Sequence, residues 1–508
     1  MTPTVTPYRP GQRAERDGFL QLLHAEWTKF RTVRGWVTGM VVAALLVVLV
    51  AVLAGISSDQ KGSAPVPIGP GGEPVTDSFY FVHRPLAGDG SITVSVSTLE
   101  SSIPKGLGEL QPGIVPWAKA GLIVKQGTRQ GSPYAAIMVT SSHGVRMQDS
   151  YVNDTAGLPG PVSARSVRWL RLDRSGDAIT GSASADGTHW TKVGTVRVEL
   201  GPTAQGGLFV ASPPAMQGLG TTGSVSTAAF GDLRVQGGWT GGEWSGELLG
   251  AESPTFSGFP GNGSGSFTQS GDRFTVTGAG DIAPAVRETL PTGGTRGDIL
   301  TGTFAALIAV IVVGALFITT EYRKNLIHVT LAASPRRGRV LLAKAIVLGA
   351  VTFVAGLAGA VLAAPLGERL ARANGVYIFP VTSSTELRVA LGTAALLATA
   401  SILALSVGTI FRNSASAVTT VIVAIVLPYL LIANPFMPTS VANWLTRVTP
   451  AAAWAVQQTL AQYPQVTSIY KPYDGYYPLA PWAGLAVLAG YTLFGLVVAA
   501  VVLHRRDA

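Results

Sequence analysis

Residues 318–340 read ITTEYRKNLIHVTLAASPRRGRV, and they stand between two apolar runs. Tyr322, Leu326, Val329 and Ala333 recur at spacings of four, three and four, which is one apolar stripe of a helix; Lys324 and His328 share the opposite side. Pro335 then stops it, and Arg336, Arg337 and Arg339 follow. A short, basic, amphipathic piece joined directly to two membrane-length runs is a loop lying against a bilayer face, so the chain is read as an integral membrane protein.

Composition agrees. Of 508 residues, 47% are hydrophobic and only 13% charged, about half the charge usual in soluble domains. Runs of some 20 apolar residues match the hydrocarbon core at 1.5 Å per residue, and they fall at 36–56, 299–318, 341–366, 389–411, 415–433 and 481–503. The expected plan is a membrane α-helical protein of six transmembrane helices with an inserted all-β sandwich: 1–35 as amino terminus with an interfacial helix, 36–56 as first span, 57–297 as insertion, and 298–508 as the remaining five spans. The first run is too long for a signal-peptide core, lies more than thirty residues in and lacks a small-residue cleavage site, so it is expected to stay uncleaved. No cysteine is present, so no disulfide framework or thiol-linked lipid is available.

Sidedness follows from Lys and Arg near the spans. Lys29, Arg31, Arg34, Arg323, Lys324, Arg336, Arg337, Arg339, Arg412, Arg505 and Arg506 lie on one side; the other has Arg369, Arg372, Arg388, Arg447 and Lys471. The expectation is a multi-pass plasma-membrane protein with both termini cytoplasmic and 57–297 extracellular. The net charge of +9 is then a topology signal together with attraction to anionic lipid, not nucleic-acid binding.

Ion-coupled transport needs ionisable groups at membrane depth, and the span interiors offer none; Lys344 sits at a span end, where its stem can snorkel. Small residues at four-residue spacing, Ala355 with Gly359, Gly356 with Ala360 and Ala486 with Gly490, suit close helix packing, or arise by chance in a Gly- and Ala-rich chain. A phosphate-cradling loop, a HExxH pair and a GxSxG elbow are absent from the sequence. If the spans move a substrate, a separate ATPase must drive them. A second amphipathic piece, FLQLLHAEWTKFRTVRGW (19–36), stripes Leu20, Leu23, Trp27 and Phe30, with Glu26, Lys29 and Arg31 on other faces. Periodicity alone equally allows two plain surface helices.

The segments EWTKFRTVRGW (26–36), FITTEYRKNLIHVTLAASPRRGRVLLAKA (317–345) and WLTRVTPAAAWAVQQT (444–459) resemble the membrane subunits of type-2 ABC transporters of actinobacterial type. The resemblance covers 20–56 and 298–508. It implies that the amino-terminal helix and the coupling loop 320–340 meet an ABC ATPase subunit through Glu26, Trp27, Lys29, Glu321, Tyr322, Arg323, Lys324, Arg336 and Arg337. It also implies a second permease copy (homodimer or close heterodimer), export as the direction, ATP bound by the partner and no cofactor in this chain. In the external loop 434–480 it implies a gate region with Trp444, Pro450 and Trp454; an aromatic belt anchoring a surface loop is the alternative.

Most such permeases connect their first two spans briefly, whereas this chain inserts 57–297. ITVSV from Ile92, GLIVK, YAAIMVT, VRWLRLD, TVRVEL and GGLFVAS are strand-like, and SADGTHW (184–190) is a hairpin signal. The arrangement resembles concanavalin A-like lectin and glucanase jelly rolls over about 75–235, from which no ligand residue is carried over. Trp117, Tyr134, Tyr151, Trp169, Trp190, Trp239 and Trp244 suit either a core or a platform for cell-surface glycan; Asp149, Asn153 and Asp154 suit calcium or a solvated loop. The stretch 237–297 reads as an added strand layer or a Gly/Ser-rich linker. Other readings are a membrane-anchored carbohydrate-binding or sensing protein and, last, a membrane-bound glycoside hydrolase, for which no paired carboxylates stand out.

Overall fold

The computed structural model describes residues 18–105, 109–217, 220–253, 265–327, 336–432, 434 and 436–506. Most of the expected coupling helix, including His328, Val329, Ala333 and Pro335, lies outside the described residues.

Among the described residues, six helices are long and apolar enough to cross a membrane. An amphipathic α1 (Phe19–Thr32) ends at the extended Val33, where α2 (Arg34–Ser57) begins. After the insertion come a short α3 (Arg296–Ile299), α4 (Thr303–Arg323), α5 (Arg337–Ala373), α6 (Ser383–Phe411), α7 (Ser414–Ile432), the surface helix α8 (Thr439–Val448) and α9 (Pro481–Arg506). Helix α5 outruns its apolar run at both ends and α6 at its start, because helical hydrogen bonding does not stop where the apolar run does. Thr382 caps α6 by accepting from Thr385 N, and Arg412 in left-handed geometry ends it.

Met40, Ala43, Val47, Ala51 and Gly55 form the buried stripe of α2, which packs on α5 and α4. Two of the small-residue pairs do serve packing: a Cβ on Gly359 would meet Ala44 O at 3.1 Å, and one on Gly356 would meet the Ala394 backbone at 3.2 Å. Gly490 faces open space, so the Ala486 and Gly490 pair is no helix contact here. With an even number of membrane-length helices among the described residues, α1, the end of α4, the start of α5 and the end of α9 share the end of the bundle away from the insertion.

The described residues of the insertion form a strand-rich domain whose main antiparallel sheet has 14 strands. Its spine is the 25-residue strand Tyr80–Pro104, which pairs with Thr203–Ala211, Arg168–Ser175 and Val225–Trp239. Register shifts along the last pairing bend the sheet over a core of Val82, Val94, Leu122, Ile137, Leu208 and Phe274. The reverse face is buried too. Phe81, Ile123, Tyr134, Met138 and Phe209 pack with Val75 and Ile282, which belong to the strand pair Val75–Asp77 with Ile282–Pro284. Strands Lys119–Lys125 and Tyr134–Thr140 are therefore buried on both faces, which explains why their central residues, AGLIV and AAIMV, are apolar without alternation.

The hairpin at SADGTHW forms as expected: Ala178–Ser184 pairs with Thr191–Arg197, Gly187 takes φ +75°, and Asp186 Oδ1 accepts from Thr188 N and His189 N at 2.8 Å. The strand region, however, runs to Pro284 rather than to about 235. Described parts of 237–297 add strands Ser245–Leu248, Gly265–Ser270, Arg273–Gly278 and Ile282–Pro284 instead of a linker.

Two buried lysines staple the ingoing and outgoing strands to the domain. Lys119 Nζ meets Asp281 Oδ1 at 2.5 Å; Lys125 Nζ meets Asp77 Oδ2 at 2.7 Å, and the Tyr151 hydroxyl donates to the same oxygen at 2.7 Å. Burial pushes the Lys125 ammonium down and Asp77 opposes that shift. Below this layer the domain rests on the helix connections. Leu290 packs with Phe379, Leu460 and Tyr476, Val286 packs with Val466, and Gln465 Nε2 donates to Val152 O at 2.9 Å.

Candidate functional site: an ion quartet and an opposite cavity

At the bundle end away from the insertion, four charges from three helices close on one another. Glu26 faces inward from α1, Glu321 ends α4, and Lys344 lies two turns into α5. Lys344 Nζ is 2.7 Å from Glu26 Oε2 and 2.6 Å from Glu321 Oε1. Lys29 Nζ is 2.8 Å from Glu26 Oε1 and 3.3 Å from Glu321 Oε1. Two cations and two anions cancel, the condition under which charge is tolerated out of water. Burial works against charge on Lys29, but the two carboxylates outweigh it and hold its ammonium above the usual value.

An aromatic wall lines the buried side of the quartet, and Lys29, with 37% of its side chain exposed, forms its solvent edge. Lys344 Nζ sits 4.7 Å from the Phe317 ring centre, and Phe317 meets Trp36 edge-on at 4.9 Å and Phe30 at 5.6 Å. Lys344 is 0% exposed, so snorkelling is not its role: two carboxylates neutralise it in place. Glu26 (0%) and Glu321 (5%) are likewise behind the surface instead of on it.

The other residues expected to meet a partner divide in the same way. Trp27, Arg323, Lys324 and Arg336 are exposed around the quartet. Tyr322 is half-buried under the Arg412 guanidinium, 5.1 Å from its ring. Arg337 donates to Leu503 O at 2.8 Å and His504 O, satisfying carbonyls at the end of α9; it is a helix cap more than a docking group. Lys344 was the residue that sequence reasoning missed.

At the opposite end, in the loop region 434–480, the three expected gate residues separate. Trp444 on α8 is exposed, while Pro450 and Trp454 are buried in a 3-10 helix, Pro450–Gln457. Gln457 Nε2 donates to Thr303 Oγ1 and Thr393 Oγ1, both at 3.1 Å, fixing this helix to α4 and α6. Beside it is a cavity of about 190 Å³ bordered by Asp298, Thr301, Tyr429, Trp454, Tyr473 and Tyr477.

In the β domain the candidate aromatics pack inward: Trp117, Tyr134 and Tyr151 are buried, and Trp169, Trp190, Trp239 and Trp244 half-buried. Asp154 is spent on Arg146, and Asp149 accepts from Asn153 Nδ2 at 2.9 Å, so the three candidate calcium residues are tied into local pairs.

No family model and no curated protein matches the chain. Solved structures similar to it include a functionally unknown protein from Saccharomyces cerevisiae (13% identity, 35% of this chain and 83% of that one, TM-score 0.23). Scytalido-glutamic peptidase with a transition state analog inhibitor matches at 9% identity over 40% of this chain and 98% of its own, TM-score 0.26. The alginate lyase from Klebsiella pneumoniae matches at 11% identity over 30% and 61%, TM-score 0.16. Likenesses at these scores carry no argument about activity.

Proposed function

We propose that the chain is the membrane-spanning permease subunit of an ABC exporter, non-catalytic itself and driven by a separate ATPase at its cytoplasmic face. One observation carries this reading. The quartet of Glu26, Lys29, Glu321 and Lys344 bolts the amphipathic α1 to the ends of α4 and α5, directly behind exposed Trp27, Arg323, Lys324 and Arg336. A push on that surface would reach two spanning helices together, because the buried members of the cluster, Glu26, Glu321 and Lys344, resist being separated and left unpaired. An anchor for a surface domain has no need of such a joint.

On this reading the insertion is an extracellular, jelly-roll-like accessory domain, and a second permease copy completes the transporter. The test is reconstitution with an ABC ATPase subunit that co-purifies with the chain: Arg323→Glu/Lys324→Glu is expected to weaken ATPase association or stimulation while the thermal unfolding of the β domain is unchanged. Stimulation equal to wild type would remove the coupling role.

A further inference from the structure

The cavity beside Trp454 does not stand alone. A second, of about 560 Å³, shares Gln458 and Tyr477 with it and is bordered by Asn443, Arg447 and Gln462. The two form one cleft at the insertion end of the bundle, between the 3-10 helix, α8 and the loop ahead of α9.

Its chemistry is selective. The inner part is walled by rings, with Tyr429 and Trp454 at 4.5 Å centre to centre and half-exposed Tyr473 at the lip. Trp454 Nε1 is buried with no hydrogen-bond partner among the described residues. Asp298 Oδ2 is shared between Arg287 Nη1 and Thr295 N, both at 2.8 Å, so the one carboxylate among the described residues of the inner part already has a cation beside it. The side chains of Thr459, Asn443 and Gln462 make no hydrogen bond with the described residues. A purely apolar ligand would leave these amides and hydroxyls unmatched, at a cost for each. Ring faces beside uncommitted amides and hydroxyls match a molecule with C–H faces and many hydroxyls.

We infer that this cleft binds a glycan: one sugar ring against Trp454, Tyr429 and Tyr473, and further sugars toward Asn443 and Gln462, where Arg447 accepts an acidic substituent. The inner cavity of about 190 Å³ has room for about six waters at roughly 30 Å³ each, the scale of a single sugar ring. The glycan comes either free from solution or as the head group of a lipid. Neither case depends on the permease reading, since binding requires no ATPase.

The test uses the full chain extracted in a non-glycosidic detergent and placed in phosphatidylcholine nanodiscs. One arm offers a panel of mono- to tetrasaccharides in solution; the other dopes dialkyl glycosides into the disc. Saturable binding in the first arm, weakened about tenfold or more in Gln462→Ala/Tyr473→Ala, supports the cleft with a free glycan. Binding in the second arm alone, with the same loss, supports it with a lipid head group. No binding in either arm overturns the inference, and so does binding that the double variant leaves unchanged, which would put the sugar on the β domain.

Discussion

Lys344 Nζ stands 2.6 Å from Glu321 Oε1 across a sequence separation of 23 residues. That contact ties the last turn of α4 to α5, and Glu26 adds α1 to the same joint.

Removing Lys344 strands two buried carboxylates. Lys344→Met is expected to destabilise the purified protein by about 3–5 kcal/mol, the range for breaking a buried pair from one side, read as a fall in its thermal unfolding midpoint. Glu26→Gln/Lys344→Met keeps the Lys29 and Glu321 pair and should recover part of the loss. An additive double variant would mean that the two residues do not interact.

Glycines at α9 make a sharper contrast. A Cβ on Gly484 would collide with Ala452 O of the 3-10 helix, whereas Gly490 has open space. Gly484→Ala should cost about 1–3 kcal/mol through overpacking, and Gly490→Ala about 0.5 kcal/mol or less; equal melting temperatures would contradict this packing.

The junction under the β domain should respond to acid. Burial holds the Glu288 carboxyl above its ordinary 4.5, although Ile469 N donates to it, and burial likewise raises Asp474. Between the ordinary and the raised values the folded form holds more protons than the unfolded form, so these groups add stability as pH falls through that window and lose it as pH rises. From neutral pH down to 4.5, wild type should gain stability relative to Glu288→Gln/Asp474→Asn. Parallel curves would show that neither carboxyl titrates there.

Deleting 60–295 and bridging the gap removes Val286 and Leu290 from their contacts with Val466, Leu460 and Phe379. Hydrogen exchange should rise in 460–476 and stay unchanged around Glu26 and Lys344. Loss of protection at the quartet would mean that the bundle needs the domain for its far end.

The membrane-length helices were legible because length and hydropathy are local properties. The quartet was only half so. Glu26, Lys29 and Glu321 were picked out by resemblance, but a lysine at a span end already has an explanation in snorkelling, and its partner Glu26 is 318 positions away. The lysines at 119 and 125 left a fainter signal. They share strand parity with Ile123, so alternation places them on the Ile123 face, yet only the tertiary layer of Val75 and Ile282 makes that face an interior. Strands after 237 were diluted by Gly and Ser that pack beneath Tyr80, as Gly265 does. The outer cleft draws on α3, α7 and two loops, and no single segment announces it.

The central claim is that an ATPase seats on the surface over the quartet. A photo-crosslinking residue at Lys324 in native membranes, with adducts identified by mass spectrometry, tests it most directly. The expected result is a covalent adduct with a nucleotide-binding ABC subunit at that position and none from a probe at Tyr473; adducts with such a subunit only from Tyr473, or from neither position, would rule out an ATPase seated over the quartet.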